Sequence, residues 1–201
     1  MLSRMIGQFD EVSVQVAAIG PVDAAVDLTV ACMFQHELHG AITGGLLLLD
    51  RALGGALSLL RREGIFLGRA EETLLLTKLP TSLRSQQLLI EGLGAPETFT
   101  SVILEHAVSS AVQQALRMGV RSAAFSPNLL DGGMESTGLT GIEDAMIRGL
   151  QFGLRAERRL INMNYRPAPS LRTWLFETGA AHFEAVAGRF EEDFRALNKN
   201  P

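Results

Sequence analysis

Two glycine-bearing loops hold the residues best suited to chemistry. Thr43-Gly44-Gly45 opens one helical pattern, and Ser136-Thr137-Gly138-Leu139-Thr140-Gly141 enters the most regular helix of the chain. Backbone N–H groups at a helix N-terminus carry partial positive charge, and glycines let a ligand approach them closely. Such loops seat an anion or a phosphate. The candidate ligand-binding residues are therefore Gly44, Gly45, Ser136, Thr137, Gly138, Thr140 and Gly141. Capping of the helix by Thr137 or Thr140, with glycines shaping a turn, accounts for the same pattern. Asp131 and Glu135, just upstream, would repel phosphate.

Other reactive side chains are isolated. His36, Glu37 and His39 have a spacing that can bring two imidazoles together, but a metal site needs a third or fourth ligand, and the stretch is not an HExxH arrangement. A solvated loop is the expectation there. Cys32, the one cysteine, lies in an apolar run that reads as buried, unsuited to a nucleophile and without an internal disulfide partner. No Gly-x-Ser-x-Gly elbow or Walker-type loop is present. No catalytic residue, metal or cofactor is assigned.

Composition narrows the partners. The 201 residues are 47% hydrophobic and 20% charged, ordinary globular usage, which excludes a disordered chain. A net charge of −4 argues against nucleic acid as a partner. The basic cluster Arg155, Arg158, Arg159 and Arg166 reads mainly as cations in the last turns of a helix. The apolar stretch at Leu46–Leu49 is far short of the ~20 residues that span a bilayer. Met1 to Asp10 has no apolar run of a secretory signal, so a cytoplasmic location is expected.

The elements that must position the two loops follow from periodicity. Glu11–Ile19 alternates as a half-covered strand, and Ala24–Phe34 is the apolar run of a central one. A helix is expected over Leu46–Arg62, closed by Gly64. Two short strands follow, Thr73–Leu79 and Gln87–Glu91, joined by a turn at Pro80-Thr81-Ser82. Pro96 suits the first turn of a helix whose stripe runs Phe99, Ile103, Ala107, Ala111, Ala115, Met118, ending at Gly119. Arg121–Ser126 is a strand. The helix from Ile142 carries a small-residue stripe, Ala145, Gly149 and Gly153, suited to close packing. Asn162–Ser170 is a linker, Leu171–Phe176 a strand, and Ala180–Leu197 a last helix with Phe183, Phe190 and Phe194 on one side. Strands alternating with helices imply an α/β fold: a three-layer arrangement of a mostly parallel, mixed sheet with helices on both faces. One domain over residues 1–201 is the simplest organisation.

Four pieces in order carry a resemblance. They are Asp27-Leu28-Thr29-Val30 with the helix containing Leu53-Gly54-Gly55; Gly64-Ile65-Phe66-Leu67-Gly68; Leu88-Leu89-Ile90-Glu91-Gly92-Leu93-Gly94; and the Ala/Leu-rich helices after it. From Val12 to Leu160 the chain resembles the N-terminal domain of leucyl aminopeptidases, a domain related in fold to the macro domain, a binder of ADP-ribose and similar nucleotides. The resemblance implies a macro-domain-like architecture and no peptidase activity, because the family's two metals are held in a separate domain by signatures similar to NTDAEGR. No such string occurs here, and neither Lys78 nor Lys199, the two lysines, has a suitable context. Where the macro-domain pattern has an asparagine after the central strand, this chain reads Ala31-Cys32-Met33-Phe34, which counts against ADP-ribose hydrolysis. The implied roles are a non-catalytic interaction or assembly domain, partnered by its own copies or a separate peptidase chain. The alternative is a macro-type domain binding ADP-ribose or another phosphorylated nucleotide.

Overall fold

The computed structural model describes residues 2–135 and 140–199. Its strands are β1 Ser3–Phe9, β2 Val12–Ala18, β3 Leu28–Met33, β4 Thr73–Leu76, β5 Gln87–Gly92, β6 Ser122–Ser126 and β7 Thr173–Thr178. They form one sheet in the order β1-β2-β7-β6-β3-β5-β4. The edge strands β1 and β4 run antiparallel to their neighbours, and all the pairs between them are parallel. The mixed sheet and both helical layers agree with the sequence reading.

Strand β3 shows why a central strand reads as a continuous apolar run. Leu28, Val30 and Cys32 face a core shared with helices α3 (Ser101–Met118), α4 (Ile142–Asn162) and α5 (Phe183–Lys199). Ala31 and Met33 face the opposite core, under helices α1 (Gly44–Ala52) and α2 (Ala56–Arg62). Asp27, just before the strand, accepts hydrogen bonds from the backbone N–H groups of Arg121 (2.8 Å) and Ser122 (3.0 Å), pinning the start of β6 beside β3.

The single helix expected over Leu46–Arg62 is two helices. Gly54 and Gly55 take φ of +68° and +83°, a left-handed pair that ends α1 and starts α2. The buried Asp50 of α1 then caps its successor, accepting from Leu57 N at 2.9 Å and Ser58 N at 3.2 Å. Pro96 begins a separate 3-10 turn, Pro96–Thr98, ahead of α3 rather than the helix itself. Strand β1 is an element without a clear alternating signal. Its register shifts between Met5 and Gly7, so Ile6 and Phe9 are the buried residues and the period of two is broken.

The small-residue stripe of α4 lies against α3. A Cβ on Gly149 would stand 2.4 Å from the carbonyl oxygen of Glu105, and one on Gly153 would stand 2.9 Å from Val112 Cβ. The phenylalanines of α5 cover the chain's own sheet: Phe190 stacks on Phe176 at 5.0 Å and Phe194 meets Phe9 at 4.6 Å. Two arginines of the basic cluster, Arg158 and Arg166, make ion pairs. Arg158 pairs with Asp10 at 2.5 Å, and Arg166 and Arg117 flank the buried Glu157. Among the described residues no helix is long and apolar enough to cross a membrane.

Candidate functional site

The sheet changes direction between β3 and β6. The chain leaving β3 leads to α1 on one face, while the chain leaving β6 leads to α4 on the other. A crevice must open where those two exits diverge, at the carboxyl ends of the strands. A cavity of about 710 Å³ lies there, lined by Ile19 after β2, Ser126 at the end of β6, Glu177 and Thr178 at the end of β7, and Gly45 of α1. Asn128, Asp131 and the first residues of α4, Ile142 and Glu143, close one side, and Val186, Arg189 and Phe190 of α5 close another.

One glycine-bearing loop reaches this cavity, and the helix that follows the other borders it. Gly44 and Gly45 are the first residues of α1, and Gly45 reaches the cavity wall. Gly141, with φ of +71°, stands at the N-cap position of α4, the place expected for Thr137 or Thr140. Ser136, Thr137 and Gly138 lie outside the described residues.

One of the two helix N-termini is already occupied by the chain's own acid. Asp131 Oδ2 accepts from Leu46 N at 2.9 Å, and the Thr43 hydroxyl donates to the Asp131 carbonyl at 3.0 Å. Gly44 makes room for it: a Cβ there would fall 1.8 Å from Asp131 Oδ1. The carboxylate thus sits where an anion bound at α1 would have to sit. Asn128 supports it, donating from Nδ2 to Asp131 Oδ2 at 2.8 Å. This assignment leaves Asn128 Oδ1 buried without a partner.

Glu177 is the least expected feature of the cavity. It is 5% exposed, and neither carboxyl oxygen has a hydrogen-bond partner of normal geometry among the described residues. Burial pushes its pKa up to about 8, drawn down in part by the neighbouring Ser126 hydroxyl and raised further by Asp23. The acid is therefore mostly protonated at neutral pH. Glu143, at the start of α4, is instead neutralised across the cavity by Arg189 of α5, 2.7 Å away.

The remaining sequence candidates are structural. Glu37 is no solvated loop residue: both its oxygens accept from Arg61 Nη1 at 2.6 and 2.7 Å, while Arg61 Nη2 donates to Phe34 O. His36 meets Glu97 at 2.8 Å. Among the described residues no group of three His, Cys, Asp or Glu is placed to hold a metal ion. Cys32 is buried, which pushes its thiol pKa up and away from nucleophilic use.

Comparison with known proteins places this architecture. The family model for the N-terminal domain of the cytosol aminopeptidase family matches residues 36–153, more than half of the chain. The chain belongs to the cytosol aminopeptidase family. The likeness of this N-terminal domain to solved structures is one of fold. A tomato leucine aminopeptidase superposes with a TM-score of 0.64 at 17% identity, covering 93% of this chain and 37% of that one. The chain thus spans little more than a third of that enzyme's length. An Oceanobacillus iheyensis macrodomain gives 0.66 at 11% identity, covering 100% of this chain and 96% of the other. A Trypanosoma brucei macrodomain in complex with ADP gives 0.59 at 19% identity, covering 90% and 68%. No curated protein matches the sequence.

Sequence reasoning named the two loops as candidates and did not single out Glu177, Asn128 or Arg189, which line the cavity. An acid ending an otherwise apolar alternation, Trp174-Leu175-Phe176-Glu177, was the one local signal available. Arg189 carried none, since charged residues are ordinary on an amphipathic helix.

Proposed function

We propose that this N-terminal domain acts by binding, as a non-catalytic interaction domain in the cytoplasm, without peptidase activity of its own. The observation that carries this reading is the cavity of about 710 Å³ at the carboxyl ends of the strands, bounded by Gly45 on α1 and by Ile142 and Glu143 of α4. Clefts of this size and position, with mostly apolar walls and a few convergent polar groups, are where open α/β sheets hold small molecules. The macrodomain likeness supports the same place, and it makes phosphorylated nucleotides such as ADP and ADP-ribose the first ligands to try. Gly44, Gly45, Ser136, Thr137, Gly138, Thr140 and Gly141 are the proposed contacts.

The test is titration of the chain with ADP-ribose and mononucleotides, following the melting temperature. A ligand at 100 times its dissociation constant adds ~2.7 kcal/mol of stability. Absence of any shift at millimolar concentration argues against nucleotide binding. Hydrolysis of leucyl peptides by the purified chain, with or without divalent metal, would overturn the non-catalytic reading.

A second reading, assembly with its own copies or with a separate peptidase chain, draws support from the tomato enzyme, in which the equivalent region is one part of a longer chain. Because Phe183, Phe190 and Phe194 are buried on the chain's own sheet, assembly would use another surface. Light scattering that finds a strict monomer, together with failure to bind a purified catalytic domain, would sink it.

A further inference from the structure

Resting on the reading of the cleft as a ligand seat, we propose that its ligand is a small organic cation. The molecule would carry an ammonium or amidinium head on an apolar body, the head donating to the carboxyl of Glu177 and to Asn128 Oδ1.

Hydrogen-bonding capacity comes first. Two buried side chains of one cavity have unmet hydrogen-bonding capacity among the described residues: the amide oxygen of Asn128, and the carboxyl of Glu177 beyond the neighbouring Ser126 hydroxyl. The orientation of Asn128 is not arbitrary. Asp131 Oδ2 takes a hydrogen bond from it at 2.8 Å, and an ionised carboxylate only accepts, so the nitrogen must face Asp131 and the oxygen must face away. A buried acceptor left unpaired is costly, because it has given up its hydrogen bonds to water. A ligand rich in N–H donors recovers that cost, whereas a phosphate, which offers almost only acceptors, does not.

Charge points the same way. The acids around the cavity are Asp131, Glu143 and Glu177, with Asp23 near Glu177, and the cation lining it is Arg189. Arg189 is committed to Glu143, and Asp131 is committed to the N-terminus of α1. Glu177 lines the cavity with no ion-pair partner among the described residues. An anion seated at the N-terminus of α1 would meet Asp131 there, and one at the N-terminus of α4 would meet Glu143. The remaining wall, formed by Ile19, Leu129, Met146, Val186 and Phe190, suits an aryl or alkyl body.

A cation beside Glu177 favours the ionised carboxylate, so binding at neutral pH expels the carboxyl proton to the buffer.

Benzamidine and phenethylamine are the probes, titrated into the 201-residue chain beside ADP-ribose and AMP, in the wild type and in Glu177→Gln. Melting temperature and calorimetry in two buffers of different ionisation enthalpy are read. The expected result is a melting-temperature rise with benzamidine or phenethylamine, proton release on binding, and an affinity loss of about ten-fold or more in Glu177→Gln. Gln is nearly isosteric and neutral, so that variant keeps its fold, checked by circular dichroism. Equal binding to wild type and variant overturns the proposal. Binding of ADP-ribose but of neither amine overturns it while leaving the cleft as a ligand seat. Binding of none of the four, as when an ordered water satisfies both acceptors, removes both readings.

Discussion

Buried acids set the behaviour of this chain at the residue scale. Glu177 and Glu91 both have pKa values pushed up to about 8 by burial, Glu91 despite accepting from Ser110 Oγ at 3.0 Å. A carboxyl with a raised native pKa is favoured in its protonated form. Its contribution is complete below the ordinary value of 4.5 and is lost as pH rises through about 8, because over that interval the folded state holds a proton that the unfolded state has released. Thermal unfolding followed from pH 5 to pH 9 should therefore show falling stability. Glu177→Gln should raise the melting temperature at pH 8 more than at pH 5 and flatten part of the decline; an unchanged slope would refute the assignment. Asp131 serves as a side-chain cap of α1, accepting from Leu46 N. Asp131→Ala should cost about 1 kcal/mol, the usual loss for a cap, measured by urea denaturation. The sequence identifies Asp131 as a repeller of phosphate. That it reaches α1 across a separation of 85 residues is a tertiary fact.

At the scale of elements, glycines divide into those that turn the chain and those that admit a neighbour. Gly54-Gly55 are of the first kind, and they split a helix whose apolar periodicity runs on through both halves. Gly149 is of the second kind. Replacement by Ala gains up to ~1 kcal/mol of helix propensity, but the new Cβ would stand 2.4 Å from a carbonyl oxygen of α3, and backbone gives way poorly. Gly149→Ala should be destabilising by about 1–3 kcal/mol, read as a lower urea midpoint at an unchanged m-value. The stripe Ala145, Gly149, Gly153 was legible because close helix packing demands small residues at that spacing. Strand β1 was not legible, because the bulge at Ile6 breaks the alternation that marks a strand.

For the whole molecule, the last helix joins the core to the cleft. Phe190 is fully buried, stacks on Phe176 in the sheet and also forms part of the cavity wall. Phe190→Ala should cost about 3–5 kcal/mol in urea unfolding. A loss below 1 kcal/mol would mean that α5 is not docked as described. Local periodicity determined the strands β2, β3, β5, β6 and β7 and the long helices α3, α4 and α5, since alternation and helical stripes are written in neighbouring residues. Strand order was not written there, for it depends on which faces bury together across the whole chain. That order brings the ends of β2, β6 and β7 to one cavity, places Asp131 on the N-terminus of α1, and leaves Glu177 buried with no cation beside it among the described residues. An acid at a strand end reads as ordinary in sequence. Only the tertiary structure, by burying it at a cavity wall away from any described cation, makes it the group around which a ligand would be chosen.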